Sequence, residues 1–196
     1  MNARNLSSFK SLATLSLIFT PILAHAHPGH DTSGFSAGVA HPLHGLDHIL
    51  AMVAVGLWAA QLGGRAKWLV PASFVSVMAL GGALGMAGVP IPFAEQGIFA
   101  SVLILGVLIA ASVRLPLAAS MSLVGLFALC HGHAHGLEMP ASAAGFAYGA
   151  GFVLATALLH AAGIGAGWAI QHYARASWLR ATGVAICASS ALLVLN

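Results

Sequence analysis

The chain has 196 residues, of which 59% are hydrophobic, only 6% are charged and 23 are glycine. A soluble domain carries about a quarter charged residues, so this composition excludes an ordinary water-soluble globule and describes a membrane protein. The formal net charge of +3 rests on seven Lys plus Arg spread thinly along the chain, which excludes the basic footprint that nucleic acid requires.

Residues 1–26 read as a signal peptide. Arg4 and Lys10 make a basic start, Leu12 to Leu23 is a short apolar run, and Ala24-His25-Ala26 supplies the small-residue cleavage pattern. Cleavage would leave residues 27–40 as a tail outside the membrane. Its first residues, His27-Pro28-Gly29-His30-Asp31, gather a free amine, two imidazoles and a carboxylate that could capture a transition-metal ion, although a plain polar tail is an equal reading. The rest, 41–196, is expected to be one transmembrane domain.

Hydropathy gives six spans after the tail: 41–62, 68–89, 93–113, 115–135, 141–170 and 177–195. Most are near the roughly 20 residues that a bilayer core demands. The fold class is therefore all-α, a polytopic bundle of six transmembrane helices after a cleaved signal peptide. The fifth span is long, and Gly163, Gly165 and Gly167 near its end suggest a tilt, a break or a cytoplasmic extension. Gly81, Gly82 and Gly85 in the second span, and Gly145 and Gly149 in the fifth, are small residues that let helix backbones approach closely. Cys130 and Cys187 lie in separate spans and read as buried free thiols.

Charge sets the orientation. With the mature N-terminus outside, Arg65, Lys67, Arg114, Arg175 and Arg180 all fall on the inner side, while Asp31, Glu95 and Glu138 fall on the outer side. Both termini of the mature chain are then outside.

The first span opens His41-Pro42-Leu43-His44-Gly45-Leu46-Asp47-His48. On one continuous helix His41, His44 and His48 fall within an arc of about 60°, Met52 continues the stripe, and Pro42 fits the first turn. Asp47 is placed to orient a neighbouring imidazole. The fourth span ends His131-Gly132-His133-Ala134-His135-Gly136-Leu137-Glu138. There His131 and His135 share a face, Glu138 joins it within about 20°, and His133 points away. Ionisable groups at membrane depth cost roughly 2.5 to 3.5 kcal/mol each on insertion scales, so such clusters mark a pathway or a site. By the topology above both emerge at one membrane face, where donors from two helices can share a metal ion. His160, about 28 Å along a helix beginning at residue 141, lies toward the inner half and is a candidate relay. Met78, Met86 and Met121 read as packing residues, whereas Met52 and Met139 stand beside histidines. Cys130 is rotated away from its neighbour His131.

The pattern His41-Pro42-x-x-Gly45-x-Asp47-His48 followed by Leu50 to Gly56, together with His131-Gly132-x-Ala134-His135-Gly136-x-Glu138, resembles the HupE/UreJ family of hydrogenase and urease accessory proteins over the whole chain. The resemblance implies a permease of the bacterial inner membrane carrying Ni²⁺, in some members Co²⁺, for nickel enzymes. It also implies that His41, Asp47, His48, His131, His135 and Glu138 handle the metal. Nothing is carried over to His44 and His133, which fall at variable motif positions. Neutral imidazoles suit nickel, and Asp47 and Glu138 would offset its charge. No nucleotide-binding loop is present, so transport would be secondary. Two other readings are an intramembrane zinc hydrolase, against which stands the lack of an H-E-x-x-H or serine nucleophile motif, and a metal-binding accessory protein that does not transport.

Overall fold

The computed structural model describes residues 34–139 and 143–195. The signal-peptide segment, His27 and His30 lie outside the described residues. Among the described residues there are seven helices and no strand: α1 (Phe35–His44), α2 (Leu46–Leu62), α3 (Ala66–Met86), α4 (Ala94–Ala110), α5 (Leu117–Glu138), α6 (Ala143–Tyr173) and α7 (Ala176–Leu195). Three of them, α3, α5 and α6, are long and apolar enough to cross a bilayer, and α1 with α2 makes a fourth span if that bent pair counts as one.

α2 is the central element. From Ala51 to Gln61 all but Val53 are buried, so the helix has no lipid or water face over that length. A helix apolar on every side must lie inside a bundle, and α3, α4, α6 and α7 all pack on it. The outer helices do the reverse and expose Trp68, Leu103, Leu126, Phe146, Leu158 and Val184. Large apolar side chains around a perimeter, with backbone hydrogen bonds satisfied inside each helix, suit a hydrocarbon solvent.

Small residues set the tightest contacts. A Cβ on Gly132 would strike the Met78 carbonyl, and one on Gly136 the Gly82 carbonyl, so α3 and α5 touch backbone to backbone. α1 is held against α6 the same way, through Gly38 at Tyr148 and Gly151 at Phe35. Gly163 abuts the Val53 carbonyl on α2 rather than breaking α6, which runs as one helix from Ala143 to Tyr173.

The first span departs most from expectation. Its helix begins at Phe35, six residues inside the expected tail, because the Phe35–Ala40 segment docks on α6. Pro42 is therefore the eighth residue of α1, not part of a first turn. At Gly45, whose backbone is extended (φ −94°, ψ 116°), the chain bends by 88° before α2 starts. His41, His44 and His48 do not lie on one continuous helix.

Candidate metal centre

The bend at Gly45 puts Asp47 and His48 in the first turn of α2. There His48 donates from Nδ1 to Asp47 Oδ1 at 2.9 Å, which leaves its Nε2 as the lone-pair side. That Nε2 faces the Nε2 of His135, which comes from the last turns of α5, within hydrogen-bonding reach. His135 Nδ1 in turn stands 3.6 Å from Glu138 Oε2. Each imidazole thus has a carboxylate behind it and the other ring before it. A bonded carboxylate orients a metal-binding histidine and raises its basicity, as Asp47 does for His48, whereas Glu138 stands just beyond hydrogen-bond distance of His135. A Cβ on Gly45 would lie 2.8 Å from both Asp47 Oδ1 and His48 Nδ1, so only glycine leaves this pair room.

His41 adds a second, shallower grouping. Its Nε2 is 3.9 Å from Glu138 Oε2, and ligand atoms of His41, His135 and Glu138 all lie within 4.8 Å of one another. His135 belongs to both groupings. His48 and His135 are buried, His41 is half-buried and Glu138 is exposed, so the cluster grades from wet to dry along its length.

One turn deeper on α5 stands His131. Ser101 of α4 donates its hydroxyl to the Ile98 carbonyl at 2.6 Å, so its oxygen accepts from His131 Nε2 at 3.1 Å. His131 Nδ1 therefore carries a lone pair, and it has no hydrogen-bond partner. The rings form a ladder, with centroids 4.7 Å apart for His41 and His135, 4.5 Å for His135 and His48, and 5.1 Å for His48 and His131. Phe74 of α3 follows, 5.7 Å from His131 and 5.0 Å from His160. Phe152 and Tyr148 of α6 wall the shallow end against His41. Buried polar atoms without a partner cost about 1–3 kcal/mol each; His131, His133, His135 and His160 all carry such atoms.

A family model described as HupE / UreJ protein matches residues 14–193, nearly the entire chain. The chain belongs to the HupE/UreJ family. Protein HupE of Rhizobium leguminosarum bv. viciae is 49% identical over 156 residues, covering 80% of this chain and 82% of that relative. No solved structure matches.

In this HupE/UreJ chain the residues named from sequence separate into those brought together and those set apart. His41, Asp47, His48, His131, His135 and Glu138 form one connected group. His44 does not join it: exposed, it uses Nδ1 on the Ala40 carbonyl at 2.7 Å, closing off the end of α1. Placing His44 among the ligands assumed the unbroken helix that Gly45 interrupts. His133 points away as its helical position requires, and its Nε2 meets the Val89 carbonyl at 2.7 Å. Met52 is fully buried one turn below His48. Met139 joins Met78 and Met86 in lining a cavity of about 310 Å³ that reaches His135. Cys130 and Cys187 are free and half-buried rather than fully buried.

Sequence reasoning missed Ser101, Phe74, Phe152 and Tyr148. Ser101 alone carried a signal, as the one hydroxyl side chain in an otherwise apolar stretch of α4. A recess of about 360 Å³, lined by Glu95, Gln96, His133 and Glu138, was also unforeseen because its walls come from α4 and α5.

Proposed function

We propose that the protein is a secondary permease that imports a divalent transition-metal ion, best matched to Ni²⁺ with Co²⁺ as the near alternative, for nickel enzymes such as hydrogenase or urease. The carrying observation is the pair of carboxylate-backed imidazoles, His48 and His135, presented from two helices with their Nε2 atoms facing each other. Neutral nitrogen donors suit first-row divalent ions of this kind, and Asp47 and Glu138 supply the balancing charge in a low-dielectric interior.

In this reading the chain makes six spans, the bent α1–α2 pair counting as one, in the inner membrane after removal of residues 1–26. Arg114 shares a recess with Gln61 and Gln171 at the far end of the bundle from the histidines, and Arg180 bonds the Ala110 carbonyl there. The positive-inside rule supports taking this basic end as cytoplasmic, with the histidine end and both mature termini outside. The ion is collected by His27 and His30, and by the Glu95 and Glu138 carboxylates at the rim. It sheds water at His41, His135 and Glu138 and passes to the His48 and His135 pair.

Uptake of radioactive nickel by cells expressing His48→Ala or His135→Ala is expected to fall to the level of cells carrying no permease. Uptake equal to wild type in both variants would remove the cluster from the transport route.

A further inference from the structure

We propose that His160 and the Nδ1 atom of His131 form a second, deeper station for the cation, occupied after it leaves the His48 and His135 pair. The identity of the cargo rests on the permease reading above.

His160 is only 2% exposed, and neither Nδ1 nor Nε2 has a hydrogen-bond partner. A neutral imidazole always carries one N–H donor and one lone pair. Both are buried here with nothing to receive them. Backbone packing does not require the ring: the close approach of α6 to α2 at this level is made by the His160 carbonyl against Gly56, a contact any residue at 160 could make. Nor does the neighbouring polar group use it, since Thr156, one turn away on α6, spends its hydroxyl on Met78 Sδ at 3.7 Å. Among the described buried side chains only His160 leaves both of its polar atoms unpartnered, and a ligand would account for a polar ring kept where an apolar one would pack.

His131 supplies the matching half. Ser101 fixes its tautomer so that Nδ1 holds the lone pair, and that atom is also buried and partnerless. Both imidazoles rest against the ring of Phe74. The two lie on successive steps inward. His131 is one turn, about 6 Å, below His135 on α5, and His160 is eight residues, about 12 Å, beyond Phe152 on α6, the residue that packs on His135.

The chemistry of this station differs from that of the outer one. His41, His48 and His135 are accompanied by Asp47 and Glu138, whereas His131 and His160 offer uncharged nitrogen only. An ion held by carboxylates enters readily and leaves slowly. A following site of neutral donors, which binds more weakly, lets it step on; conduction needs that gradation between adjacent sites.

Two measurements on the full chain test this: Ni²⁺ bound per chain by equilibrium dialysis in detergent, and Ni²⁺ uptake into sealed proteoliposomes. His160→Leu is expected to bind one ion fewer than wild type, to keep the affinity of the remaining outer site within two-fold, and to lose at least ten-fold in uptake. His48→Ala should lower the tighter binding phase instead. A His160→Leu chain that binds as many ions as wild type, and transports as fast, overturns the proposal. Where the leucine variant does not fold, His160→Gln carries the same test, and an undiminished ion count there overturns it equally. Wild-type protein that binds at both stations yet moves no Ni²⁺ would sink the permease reading while supporting the second station.

Discussion

Three histidines crowd the start of the first span and three crowd the end of α5, yet the backbone delivers them by different routes. α5 stays helical through His131, His133 and His135, so the helical repeat decides which rings face inward. The first span breaks at Gly45 between His44 and His48, and a bend of 88° decides instead. Each segment has one histidine bonded to a backbone carbonyl and set apart from the cluster, His44 at Ala40 and His133 at Val89. Counting histidines therefore overstates the number of donors. Each of these two rings still keeps one nitrogen free, so a residue contributes only if its free nitrogen also lies with the other donors, as those of His48 and His135 do.

The largest effect that would sharpen this contrast is Asp47→Asn. Removing the carboxylate behind His48, but not the ring itself, should lower nickel uptake or affinity about 10- to 100-fold, as is usual when an orienting partner of a metal-binding histidine is lost. Uptake unchanged by Asp47→Asn would mean that an uncharged acceptor behind His48 is enough and that the carboxylate charge plays no part. Acidification comes next. Metal needs the neutral imidazole, so uptake should fall as the pH is lowered far enough to protonate these rings and recover as it rises again. A rate that rises on acidification would break the claim that imidazoles from both segments bind the ion directly.

Gly45→Ala should produce a smaller but clear loss of uptake, several-fold, because the added methyl crowds Asp47 Oδ1 and His48 Nδ1 at 2.8 Å. Gly136→Ala offers the matched test on the unbroken helix. It should reduce thermal stability through the α3 contact at Gly82. The smallest effects belong to the two engaged histidines. His44→Ala should leave uptake within about two-fold of wild type. His133→Ala should do the same while costing about 1 kcal/mol of stability for the lost bond to Val89. Uptake abolished by either would mean that rings lying outside the connected group also handle the ion.

The sequence made the α5 half of the centre legible, because an intact helix carries i, i+4 spacing directly into space. It also exposed the helical class and the membrane character, since apolar runs near bilayer length leave few alternatives. The α1–α2 half was legible in its residues but not in its geometry. Gly45 is one glycine among 23, and its bend follows from the docking of α1 on α6 through Gly38 and Gly151, more than a hundred residues apart in the chain. Ser101, Phe74 and Phe152 were invisible for the same reason, as their importance lies in which helix faces them. Of the tilt, break or extension suggested by the glycines near the end of α6, the break does not occur, and Gly163 marks a place where α2 comes close.

The ladder of rings draws on positions 41, 48, 131, 135 and 160, and α2, which carries one of its rungs, is sheathed by helices translated later. A half-synthesised chain consequently offers isolated imidazoles, each a poor chelator. The capacity to hold a cation arises only when the end of α5 meets the start of α2, and the rung at His160 waits for α6, so a growing polypeptide stays blind to metal until most of its architecture is in place.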